Sequence, residues 1–118
     1  MKRLSLLALA LIVLGACGGC RRTDYRAQKI HLPGLKNQAC ADVVKKALQQ
    51  YAAQPNLGGA LVMDRVRFDF TERTMAIEFD SMKVGLKNIE HAIARAGFEA
   101  DDIPADTNAA ARLPAECQ

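Results

Sequence analysis

An α+β sandwich is the fold this sequence predicts, with elements in the order strand, helix, strand, strand, helix, strand. Two observations carry that expectation. Apolar residues recur at three- and four-residue spacing twice, at Cys40, Val43, Val44, Ala47, Leu48 and Tyr51 and again at Leu86, Ile89, Ala92, Ile93 and Ala96, the period of a helix with one buried face. Between them, Val66, Phe68 and Phe70 and then Met75, Ile77 and Phe79 alternate with polar residues, the period of a half-buried hairpin. Two amphipathic helices must then cover the one apolar face of an antiparallel sheet, which is the ferredoxin-like βαββαβ arrangement.

Each element has its own signals. Residues 27–32 alternate, with Ile30 and Leu32 on one face and Lys29 and His31 on the other. A loop follows, and the first helix is expected from about Gln38 to Ala53. Its first turn holds Cys40, where the positive end of the helix dipole favours a thiolate. Gln54-Pro55-Asn56-Leu57-Gly58-Gly59 breaks the chain. The apolar Leu57, Leu61 and Met63 would pack on the sheet or meet a partner. Thr71-Glu72-Arg73 turns the hairpin, Gly85 starts the second helix and Gly97 stops it in a left-handed conformation. Residues 98–103 read as a short fourth strand at a sheet edge. Asp106 caps a final helical turn, and Cys117 follows Glu116 near the end.

At 118 residues there is room for one small domain with ends. Residues 1–16 read as an export signal: Lys2 and Arg3 form a positive start to an apolar run too short to span a bilayer. Without those two, 14 basic residues face 13 acidic ones, so nucleic-acid binding has no electrostatic support. Residues 17–26 read as a tether, 27–104 as the folded domain and 105–118 as a tail. Leu14-Gly15-Ala16-Cys17 resembles the lipobox of bacterial lipoproteins, which implies lipidation at Cys17. It further implies membrane anchoring in a bacterial cell envelope, at the outer membrane facing the periplasm by resemblance to known sorting rules. Three thiols then remain, Cys20, Cys40 and Cys117, in a compartment that permits disulfides.

The span Gly34-Leu35-Lys36-Asn37-Gln38-Ala39-Cys40, with Val44, Ala47 and Leu48 after it, resembles the heavy-metal-associated domain of copper chaperones and periplasmic mercury-binding proteins. That family carries Gly-Met-x-Cys-x-x-Cys running into a Val-x-x-Ala-Leu helix face. Gly34 and Cys40 match, Leu35 replaces the Met, and Asn37 stands at the first Cys. Thr74–Asp80, the Ile89, Ala92 and Ile93 face and Ala96-Gly97-Phe98 resemble the third strand, second helix and closing turn. The resemblance implies the same ferredoxin-like fold and a site for a soft ion, Cu(I) before Hg(II), between thiolates. A metal-transport protein of the envelope is the implied partner. Lys36, Asn37 and Phe98 would line the loop.

One thiolate binds weakly. Cys117 folding back to Cys40, or two molecules sharing an ion across Cys40, restores a second sulfur. The competing reading is a Cys40–Cys117 disulfide that pins the tail over the first helix, contributing about 4 kcal/mol in the chain-entropy model, in a protein-interaction module without metal. Its contact would be the fourth-strand edge or the 57–63 loop. A closed zinc site wants four ligands, and only two or three can be assembled from Cys, His31 and Glu116. Cys20 reads as a tether residue, and His31 and His91 as solvated. No Ser/His/Asp set or Gly-rich phosphate loop is present, and Asn37 removes the Cys-x-x-Cys that a thiol oxidoreductase would want at the start of the first helix, so no enzyme is expected.

Overall fold

The computed structural model describes residues 22–118; the leader, Cys17 and Cys20 lie outside the described residues. The elements are β1 (Tyr25–His31), α1 (Gln38–Ala52), β2 (Arg67–Asp69), β3 (Thr74–Asp80), α2 (Leu86–Arg95) and α3 (Thr107–Ala111), with single 3-10 turns at Pro55–Leu57, Met63–Arg65 and Ala115–Cys117. The strands form one antiparallel sheet in the order β1-β3-β2. This is the α+β, ferredoxin-like plan that periodicity predicts. β3 is central, and its Met75, Ile77 and Phe79 face the helices and are buried. Val44 and Leu48 of α1 and Ile89 and Ile93 of α2 meet them in one core with Ile30, Leu32, Leu35 and Phe98, the burial that drives a fold of this size.

The fourth strand does not form. Ala100 and Ile103 bond each other through both main-chain pairs, at 3.0 and 2.9 Å, so the segment closes on itself as a tight turn. Asp101 sits in that turn at φ +49°, and Pro104 has no N–H to continue a ladder. Only one residue of β1 is served. Asp101 N donates to His31 O (2.9 Å), while His31 N donates to Asp101 Oδ1 (2.8 Å). A side chain thus takes the place of half a main-chain pair.

The ladder parity identifies what this leaves open. Ser81 N donates to Asp24 O and Leu32 N to Arg73 O, both at 2.8 Å, in the register that pairs Tyr25 with Asp80. In an antiparallel ladder such hydrogen-bonded residues alternate. Residues 24, 26, 28, 30 and 32 therefore turn their N–H and C=O groups toward β3. Tyr25, Ala27, Lys29 and His31 turn theirs outward.

One further expectation is corrected, and one of two alternatives is chosen. Phe70 is 37% exposed rather than on the apolar face, because Asp69 Oδ1 accepts from Thr71 N and Glu72 N (both 3.0 Å) and turns the chain out of β2. Of the two places expected for the 57–63 loop, it takes the one on the sheet. Leu57, Ala60 and Leu61 are buried, and Ala60 O and Val62 N bond Asp80 N and Glu78 O, so the loop extends the sheet beside β3. α1 ends at Ala52, with Ala53 as its cap.

Gly97 is the stop for α2, at φ +106°. A Cβ there would lie 2.8 Å from Ala110 N and 2.9 Å from the Ala109 carbonyl carbon, because α3 packs its backbone directly on Gly97. Gly97→Ala is accordingly expected to cost about 2 kcal/mol or more from the left-handed backbone and the clash together. Urea unfolding of the variant against the parent measures it, and an unchanged midpoint would refute this account of how the tail is seated.

Candidate functional site

The site forms where the tail returns to the start of α1. Asn37 is extended and its Oδ1 accepts from Cys40 N at 3.2 Å, so the residue at the family's first Cys position serves as the N-cap. The carbonyl of Asn37 accepts from Ala41 N. Cys40 is thereby held in the first turn with its side chain inward and 0% exposed. Leu35, in the Met position, is fully buried core. Phe98 is also buried, and its ring lies 3.3 Å from where a Cβ on Gly34 would stand, which explains a glycine at that point in the loop.

Cys117 arrives by a chain of local bonds. Asp106 N donates to Ala94 O (2.9 Å), and Asp106 Oδ1 caps α3 by accepting from Ala109 N (2.9 Å). Leu113 buries itself against the core, and Cys117 N donates to Pro114 O (2.8 Å) in the last 3-10 turn. Gln118 Nε2 donates to Leu113 O at 2.7 Å, and Lys36 Nζ donates to the Gln118 carbonyl. The outcome is a disulfide between Cys40 and Cys117, with Cα atoms 5.6 Å apart across 77 residues of sequence. Cys117 is only 5% exposed.

The two sulfurs thus meet at the start of α1, where Asn37 caps Cys40 and Lys36 reaches Gln118 next to Cys117, while Phe98 packs against the loop at Gly34. His31 and His91 are exposed, and Glu116 is exposed. Among the described residues no group of three or more His, Cys, Asp and Glu is placed to hold a metal ion. The two sulfurs are bonded to each other; as reduced thiols, a pair of this kind would suit a soft, two-coordinate ion rather than zinc. A separate open groove of about 290 Å³ between α1 and α2 is lined by Gln50, Tyr51, Gln54 and Arg95 among others and contains no sulfur.

Sequence reading missed a polar network under the turn at Asp101. Glu90 is 1% exposed, although its place beside His91 suggested the solvated side of α2. Lys87 Nζ lies 2.9 Å from Glu90 Oε2 and also binds Asp102. Burial first, and then a hydrogen bond with the Asp101 carboxyl, push the Glu90 carboxyl above the usual range, with Lys87 opposing. Lys87 draws Asp102 below its range and is itself raised. The Lys87/Glu90 spacing of three on one helix face was the available signal.

An acid raised on folding contributes stability that is full below its ordinary pKa and is lost as pH rises through the folded-state value. Asp102, which is lowered, acts in the opposite sense. Glu90→Gln keeps the hydrogen bond to Asp101 without ionising. Its melting temperature should gain on the parent's as pH rises from about 4.5 toward neutrality, and thermal scans of both chains across that range check it. A constant difference would refute the raised Glu90 carboxyl.

No protein-family model matches the sequence, and no curated protein matches it either. What fold and site define is a small ferredoxin-like module with two cysteines joined at a helix start. Among solved structures it is similar to oxidized MerP from Ralstonia metallidurans CH34, at 24% identity and a TM-score of 0.53, over 66% of this chain and 96% of that one. The likeness is one of fold.

Proposed function

We propose that the chain is an envelope module that binds and passes a soft metal ion, Cu(I) or a similar ion, between Cys40 and Cys117. The observation that carries this is the convergence of two sulfurs from opposite ends of the domain at the first turn of α1. The disulfide is the resting oxidised form. A thiol reductant supplies two electrons and two protons, becomes a disulfide itself and leaves two thiols. Binding the ion releases their protons. The helix N-terminus and Lys36 favour the resulting bis-thiolate anion. A fold similar to that of MerP, described in an oxidized form, supports the same reading. Lipidation at Cys17 would tether the module to a membrane, at the outer membrane facing the periplasm, and an envelope metal-transport protein would exchange the ion with it. The tether expected at residues 17–26 would be shorter, since Tyr25 and Arg26 belong to β1, and the working domain would include the tail that carries Cys117.

A second reading keeps the disulfide as a permanent staple of an interaction module without metal. The near-complete burial of both cysteines favours it. Intact mass with and without reductant, then Cu(I) titration against a competing thiol, separates the two. The metal reading expects a two-dalton deficit that reductant removes, then one copper per reduced chain, lost in both Cys40→Ser and Cys117→Ser. No copper after reduction would leave the staple.

A further inference from the structure

Among the described residues, the outward edge of β1 carries unpaired main-chain groups. Tyr25, Ala27 and Lys29 point their N–H and C=O groups away from β3, and among the described residues none of these groups has a main-chain partner. Six of the seven β1 residues are exposed, and Tyr25 is 47% exposed. An edge of this kind templates the addition of another strand. We propose that it pairs with β1 of a second copy of this chain, antiparallel about a two-fold axis at Ala27, to make one continuous six-stranded sheet.

The register follows from the structure. Only outward residues can exchange hydrogen bonds across the new pair, and His31 is already occupied by Asp101. Centring on Ala27 is the one symmetric register that uses Tyr25, Ala27 and Lys29 of both copies. A shift of one residue breaks the parity, and a shift of two loses a pair or calls on His31. In this register Lys29 stands opposite Tyr25 of the second copy, a favourable cation–aromatic pair. Arg26 stands opposite Gln28, so no like charges are opposed.

The ends are also complementary. Exposed Arg22 precedes β1, and the turn carrying Glu99, Asp101 and Asp102 closes its far end. Antiparallel pairing brings each copy's Arg22 to the other's acidic turn. A foreign acidic strand would gain from Lys29 and Arg26 but has no counterpart for that turn.

The test uses the full chain with its own leader, in membranes and after extraction. Hydrogen-bonded antiparallel partners have Cα atoms about 5.5 Å apart, inside the range for a disulfide. Ala27→Cys should give a covalent dimer on mild oxidation, beyond the background of the parent chain, and Gln28→Cys, which faces its own copy only diagonally, should not. Ala27→Pro removes an outward N–H and leaves the β3 ladder intact. It should abolish the concentration-dependent dimer seen by sedimentation while keeping the parent's circular dichroism. If that variant misfolds, Arg22→Glu should raise the dimer dissociation constant about tenfold or more. A parent chain that stays monomeric, equal crosslinking from Ala27→Cys and Gln28→Cys, or a dimer indifferent to Arg22→Glu would each overturn the proposal, whether residues 1–21 or a foreign strand fill the edge instead.

Discussion

The bond between Cys40 and Cys117 is the constraint on which the architecture depends. A three-stranded sheet with two helices has a small core, and domains of this size gain little surplus from burial alone. Closing 77 residues removes chain entropy worth about 4 kcal/mol from the unfolded state in the loop-closure model. That is comparable to the whole stability of many small domains. The bond also determines where the tail lies. α3 can rest on Gly97 with no side chain between them because the segment beyond it is fastened to α1.

Seating the tail and losing the fourth strand go together. Asp106 N must reach Ala94 O at the end of α2, only a few residues after Phe98 has buried itself against Gly34. An extended strand along β1 would carry the chain the other way. The tight turn at Ala100 and Ile103 reverses it instead, with Asp101 in the left-handed region, which Asp tolerates better than most residues. The same Asp101 supplies the two bonds to His31 and touches the buried Glu90. A single short turn thereby replaces a strand, satisfies one residue of β1 and leaves three with unused main-chain groups.

Much of the fold was legible because it is periodic. The buried faces of α1 and α2, the β2–β3 hairpin and the glycine stop at position 97 all repeat or punctuate at short range. What escaped depends on a side chain imitating the backbone. Asp69 turning Phe70 outward and Asp101 standing in for a strand residue leave no trace in a pattern of apolar positions. Glu90 is polar in sequence and buried in the fold because its partners come from the turn at 101–102 as well as from its own helix. At the site, Cys40 was visible from its place at a helix start. Its pairing with Cys117 rested on a thiol count and a resemblance, since nothing local links residues so far apart.

That separation changes what a pair of sulfurs means. In a Cys-x-x-Cys loop the two thiols are neighbours whether or not the rest of the domain is folded. Here Asn37 holds that first position and spends its side chain on capping Cys40 N. The second sulfur comes from the tail. Bringing ends together across 77 residues rather than three costs about 3 kcal/mol more in loop entropy. Once the disulfide is reduced, that cost falls on the folded tail: α3 on Gly97, Leu113 in the core and Lys36 on the Gln118 carbonyl. For the proposed thiol pair, an ion that binds both sulfurs stabilises the docked tail, and a docked tail strengthens the hold on the ion by the same factor. A partner that lifts the tail from Gly97 would weaken metal binding without touching either sulfur, which a Cys-x-x-Cys loop does not allow.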